Sequence, residues 1–166
     1  MIRIQSLFFL SIVMLTTFVI CYSQDELTWH ASGNGGVVAA GPKESAQAGI
    51  DILSKGGNAV DGAVAVIFNH AVSDYGMFSI GGEVPFMFYN STTGNVLVYN
   101  GMGGAPLDPK AIEWYYENGI PDIRTGGIKI ATVPSAISTC LTALEQKGTM
   151  SFEQVVAPAL KLLDKG

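Results

Sequence analysis

The chain has 166 residues, a formal net charge of −5 and only 14% charged residues, a length that suits one domain at most. The acidic balance excludes nucleic acid as the expected partner, because phosphate binding needs clustered Lys and Arg. With 48% hydrophobic residues there is ample material for a buried core.

Residues 1–23 read as a secretory signal peptide. Arg3 supplies the positive start, LFFLSIVMLTTFVI over 7–20 the apolar run, and Cys21 and Ser23 the small residues at −3 and −1 of a cut before Gln24. A retained anchor is the competing reading, but the run is short for a span, which needs about 20 residues. Ile20, bulky and β-branched, stands against a lipoprotein cut before Cys21. An exported protein, periplasmic or extracellular, is therefore expected. Cys140 would then be the one cysteine left, so no internal disulfide is expected. Its apolar surroundings predict a buried structural thiol, not a nucleophile.

A linker over 24–35 leads into a domain over 36–166. GGVVAA over 35–40 predicts a buried strand. Ala46, Ile50 and Leu53 at helical spacing predict an amphipathic helix over 43–55, opened by Pro42 and with Lys55 in its last turn. Gly56 suits a left-handed helix end, and Asn58 with Asp61 suits a capping box for the next helix. That helix, 59–72, is apolar nearly all round and is expected in the interior. A loop over 75–83 precedes two strands, 85–89 and 96–99, joined by the turn NSTTGN. Neither strand alternates, which predicts cover on both faces and a sheet between helices. A glycine-rich loop over 100–106 is followed by helices over 109–118, 133–146 and 151–165, with Gly119 ending the first. Ser151 and Gln154 cap the last. Leu160, Leu162 and Leu163 are still building an apolar helix at Gly166, so the sequence is expected to be a fragment.

The glycine groups do not make a nucleotide site. Gly33-Asn34-Gly35-Gly36 precedes a strand, and no Gly-Lys-Ser/Thr or GxGxxG opens a helix after one. His30 and His70 lack the closely spaced second and third ligands that a metal needs. No GxSxG elbow is present, although a Ser–His–Asp triad has no fixed sequence order. Asn90-Ser91-Thr92 is a glycosylation sequon that turn chemistry explains equally well.

Gly36-Val37-Val38-Ala39-Ala40-Gly41-Pro42, Ala48-Gly49-Ile50-Asp51-Ile52-Leu53 and Lys55-Gly56-Gly57-Asn58-Ala59-Val60-Asp61 together resemble the amino-terminal segment of the γ-glutamyltransferases. The order continues through Ser79-Ile80-Gly81-Gly82, Ala105-Pro106 and Thr132-Val133-Pro134. The resemblance implies the amino-terminal part of an α/β (α+β) N-terminal-nucleophile hydrolase, an αββα sandwich. It implies a precursor that cuts itself before a threonine beyond this segment, whose freed α-amine acts as base for its own hydroxyl. It implies γ-glutamyl amides such as glutathione as donors, water or an amino acid as acceptor, no cofactor, and the protein's own small subunit as partner. Thr92-Thr93 sits in a tight turn far upstream of the family's cut, so this chain alone is expected to be inactive.

The resemblance also locates the donor site. Anchored on Ala105-Pro106, the family's substrate-binding Arg-Glu falls at Met102 and Gly103, and the arginine of a Gly-Arg-Ala-Pro variant falls at Gly104. A thioether cannot hold a carboxylate as an arginine fork does. Glu83 adds a charge where the family's loop has glycine. Two alternatives follow: a relative that hydrolyses a different amide, and a non-catalytic, truncated or degenerate exported binding protein.

Overall fold

The computed structural model describes residues 34–122 and 127–166. The expected signal peptide over 1–23, the expected linker as far as residue 33, and His30 lie outside the described residues.

Helix α1, Lys43–Ser54, begins at Pro42, whose carbonyl accepts from the Ser45 and Ala46 amides. Its buried face is Ser45, Ala48, Gly49 and Ile52, not the expected Ala46–Ile50–Leu53 stripe. Ile50 is exposed, and Ala46 and Leu53 are half-buried. Close approach decides the face: a Cβ on Gly49 would lie 2.8 Å from both Val38 Cγ1 and Val66 Cγ2. Small residues bring two backbones together, and dispersion from many short contacts outweighs one more exposed isoleucine. Lys55 lies just past the last turn instead of within it. Gly56 closes the helix at φ +91°.

Asn58 then caps helix α2, Ala59–Ser73. Its Oδ1 accepts from the Val60 and Asp61 amides, while Asp61 accepts from the Asn58 amide at 2.8 Å. This is the expected capping box. Helix α2 packs against α1 and against the two last helices, so it is the central element. Ser45 and Asn69, buried polar groups on the facing sides of α1 and α2, share a hydrogen-bond chain with Ser73.

Strands β1, Phe86–Asn90, and β2, Asn95–Tyr99, form an antiparallel hairpin with Phe86 opposite Tyr99 and Met87 opposite Val98. Asn90 Oδ1 accepts from the Thr92 and Thr93 amides, and Gly94 turns the chain at φ +71°. Cover on both faces does not hold among the described residues. Phe86 is buried and Phe88 and Tyr99 pack on the core, but Met87, Tyr89, Val96 and Val98 on the other face are exposed. The strand expected over 35–40 is also corrected. Those residues join no ladder among the described residues, and Val37 is 63% exposed. A strand needs a neighbour to satisfy its backbone groups, and the described sheet holds only β1 and β2.

Helix α3, Ala111–Glu117, is shorter than expected and ends at Gly119, φ +71°. A 3-10 turn, Gly127–Ile130, leads to helix α4, Ala136–Lys147, which starts after the expected 133 because Pro134 disfavours helical backbone at Val133. Helix α5, Phe152–Lys165, carries the expected Ser151–Gln154 capping box. The core gathers Ile52, Val60, Val64, Phe86, Cys140, Leu144 and Val155. Each large aliphatic group buried there contributes about 1.5–3 kcal/mol.

Candidate functional site

Three loops meet where the resemblance puts donor binding. The Gly82 carbonyl accepts from both the Ser135 and Ala136 amides at 3.1 Å, satisfying two otherwise unpaired groups at the start of α4. The Gly101 carbonyl accepts from the Val84 amide at 2.8 Å and from the Ser135 hydroxyl. Gly101 takes φ +52°, and a Cβ there would collide with the Val84 carbonyl. Only glycine fits. These bonds fix Glu83, half-buried, between two tied residues.

Met102 follows this anchor and is 52% exposed. Gly103 is held against Val133, where a Cβ would stand 2.3 Å from the valine's Cβ and 2.4 Å from its carbonyl oxygen. A glutamate cannot occupy this position without moving the chain. Gly104 is open, with nothing within 4 Å of an added Cβ. So the Met102 side can accept a long side chain and the Gly103 side cannot.

Beyond Gly103 a cleft of about 750 Å³ opens between the 103–107 loop, α3 and the 127–133 segment. Leu107, Ile112, Tyr116 and Val133 line it, with Glu83 and Lys129. The Tyr115 hydroxyl donates to the Lys129 carbonyl, and Lys129 Nζ stands 5.1 Å from the Trp114 ring centroid, within cation–π range. Sequence reasoning treated 109–118 only as a helix and passed over Lys129. The aromatic run Trp114-Tyr115-Tyr116 was the available signal.

The GGNAVD signature serves structure. Asp61 is fully buried, and its carboxylate accepts from Thr149 Oγ1 at 2.6 Å, the Thr149 amide at 3.0 Å and the Met150 amide at 3.2 Å. Asn58 Nδ2 donates to the Lys147 carbonyl at 2.7 Å. The motif therefore ties the start of α2 to the α4–α5 connection. Its partners lie 88 and 89 residues away, so no local pattern reveals them.

The remaining candidates stand apart from the cleft. Thr92 and Thr93 lie in the exposed hairpin turn. His70 Nε2 is 3.7 Å from Asp74 Oδ2. Among the described residues, no group of three His, Cys, Asp or Glu could hold a metal ion. Cys140 is buried, and desolvation pushes its thiol up from near 9 to about 11, which keeps it protonated and inert.

The gamma-glutamyltranspeptidase family model matches residues 45–166. The chain belongs to the γ-glutamyltransferase family. It is 34% identical over 148 residues to the glutathione hydrolase proenzyme of Bacillus subtilis (strain 168), covering 87% of this chain and 25% of that relative. It is 31% identical to the acylase ACY 1 proenzyme of Pseudomonas sp. (strain SE83), covering 82% and 26%. The structure superposes on gamma-glutamyltranspeptidase from Pseudomonas nitroreducens complexed with L-DON, with a TM-score of 0.67 at 30% identity, over 78% of this chain and 39% of that one. The family fold is accordingly present in part, as the α+β amino-terminal portion of the N-terminal-nucleophile hydrolase sandwich. The chain spans about a quarter of the length of these curated relatives.

Proposed function

We propose that this chain is the amino-terminal part of an exported γ-glutamyltransferase-like hydrolase. The full protein would cleave γ-glutamyl amides such as glutathione and pass the glutamyl group to water or an amino acid. The nucleophile would be a threonine beyond residue 166, freed by self-cleavage, and the segment it heads would be this chain's small-subunit partner. The observation that carries this reading is the family match over 45–166, which takes in both the Asn58–Asp61 corner and the 101–106 loop. Export is supported by Arg3 and the apolar run over 7–20. This chain's own contribution would be positional, holding the 101–106 loop against α4.

The first experiment is to read the coding sequence past residue 166 and express what it encodes. Two chains, the smaller beginning with threonine, with hydrolysis of γ-glutamyl-p-nitroanilide, are the expected result. A stop codon after Gly166, or a continuation without threonine, would overturn it and leave the exported binding protein.

A second reading, hydrolysis of a different amide, is favoured by Met102 and Gly103. Because Met102 has room, Met102→Arg should lower the KM for γ-glutamyl substrates about tenfold if the carboxylate contact was lost there, as a charge-assisted bond is worth about 1.5–3 kcal/mol. An unchanged KM would mean that the donor carboxylate is held elsewhere.

A further inference from the structure

Lys129 gives the cleft a cation that makes no ion pair among the described residues, and its ammonium rests near the Trp114 ring. Among the described residues the other charged lining group is Glu83, and the surface around both comes largely from Leu107, Ile112, Tyr116 and Val133. A ligand that satisfies such a lining has an apolar body and one negative group. The body removes apolar surface from water. The negative group meets Lys129, while Glu83 repels any second one. A cleft of about 750 Å³ takes a ring and a short chain. Gly103 and Gly104 form part of its lining, next to Met102, so it adjoins the implied donor position.

We propose, building on the amide-hydrolase reading above, that this cleft binds the part of the amide substrate that carries a carboxylate on an aromatic or branched apolar body. Lys129 is its specificity-determining cation. Preference therefore rests on a hydrophobic pocket and one lysine, where the family pattern has an arginine–glutamate pair.

The test is calorimetric titration of the longer protein that the reading frame encodes, without residues 1–23, with N-acetylphenylalanine. N-acetylphenylalanine amide, which lacks the carboxylate, and N-acetylglycine, which lacks the ring, serve as controls. Saturable binding of the first, with both controls weaker by about threefold or more, is expected. Lys129→Gln should weaken binding about threefold to fivefold and erase discrimination against the amide, while Glu83→Gln should strengthen it. Gly104→Phe, which enters open space, should fill the cleft and abolish binding with the circular dichroism spectrum unchanged. Equal binding of all three probes, or binding indifferent to Lys129→Gln and Gly104→Phe, overturns the proposal. Its failure is separable from that of the function. A processed, longer protein that hydrolyses γ-glutamyl-p-nitroanilide with a KM indifferent to Lys129→Gln would refute the cleft's role and keep the enzyme. Probe binding without amidase activity in that protein would do the reverse.

Discussion

Asp61 shows what a single buried carboxylate does when every donor around it is aimed. It satisfies the Asn58, Thr149 and Met150 amides and the Thr149 hydroxyl, and charge-assisted bonds of this kind are about twice as strong as neutral ones. Asp61→Ala leaves those donors buried and unpaired, so it should cost about 3 kcal/mol or more in urea unfolding. Asp51→Ala, on an exposed Gln47–Asp51 contact, should cost less than about 0.5 kcal/mol. Cys140 makes the pH prediction. Its folded pKa lies above its unfolded value, so the stability it contributes is fully present below about pH 9 and is lost as pH rises towards about 11. The loss should be about 2–3 kcal/mol across that window. Thiolate absorbance near 240 nm checks it: a native midpoint near 9 would show an open thiol.

At the scale of elements, α1 and α2 are joined by small-residue contact, and that is testable at Gly49. Gly49→Val would push into Val38 and Val66 and should lower stability by about 1–3 kcal/mol or more, despite the added apolar surface. A gain in melting temperature would show that the gap yields. The ends of these elements were legible because capping is local chemistry: Asn58 with Asp61, Ser151 with Gln154, and Gly56 and Gly119 past their helices. The hairpin was legible from NSTTGN between two apolar runs. The buried side of α1 was not, because large residues were given the inward face and Ala48 and Gly49 were chosen by the neighbouring backbone. The run over 35–40 has strand composition, but pairing is a property of two segments and one sequence window cannot supply the second.

For the molecule as a whole, the outer face of the hairpin dominates. Met87, Tyr89, Val96 and Val98 present apolar surface on an edge-bearing sheet, a combination that favours association. Sedimentation should show this chain self-associating with concentration, and Met87→Lys with Val98→Glu, directly opposed across the strands, should suppress it. An unchanged sedimentation profile would mean that the face is not sticky. The resemblance placed a donor position by Ala105-Pro106, but the cleft beside it was not legible: Glu83, Ile112 and Lys129 come from three separate segments and only folding brings them together. The Asp61–Thr149 tie has a consequence for synthesis. Its partners are 88 residues apart, and ribosomes add about 5–20 residues per second. Asp61 therefore emerges about 4–18 s before Thr149 can reach it. During that interval the corner is held by the local Asn58–Asp61 capping box, and water occupies the places of the Thr149 and Met150 donors. A connection translated well after the first two helices is thus the one that locks them, and a ribosome stalled before residue 149 would carry a chain whose central helix is capped but not yet fastened.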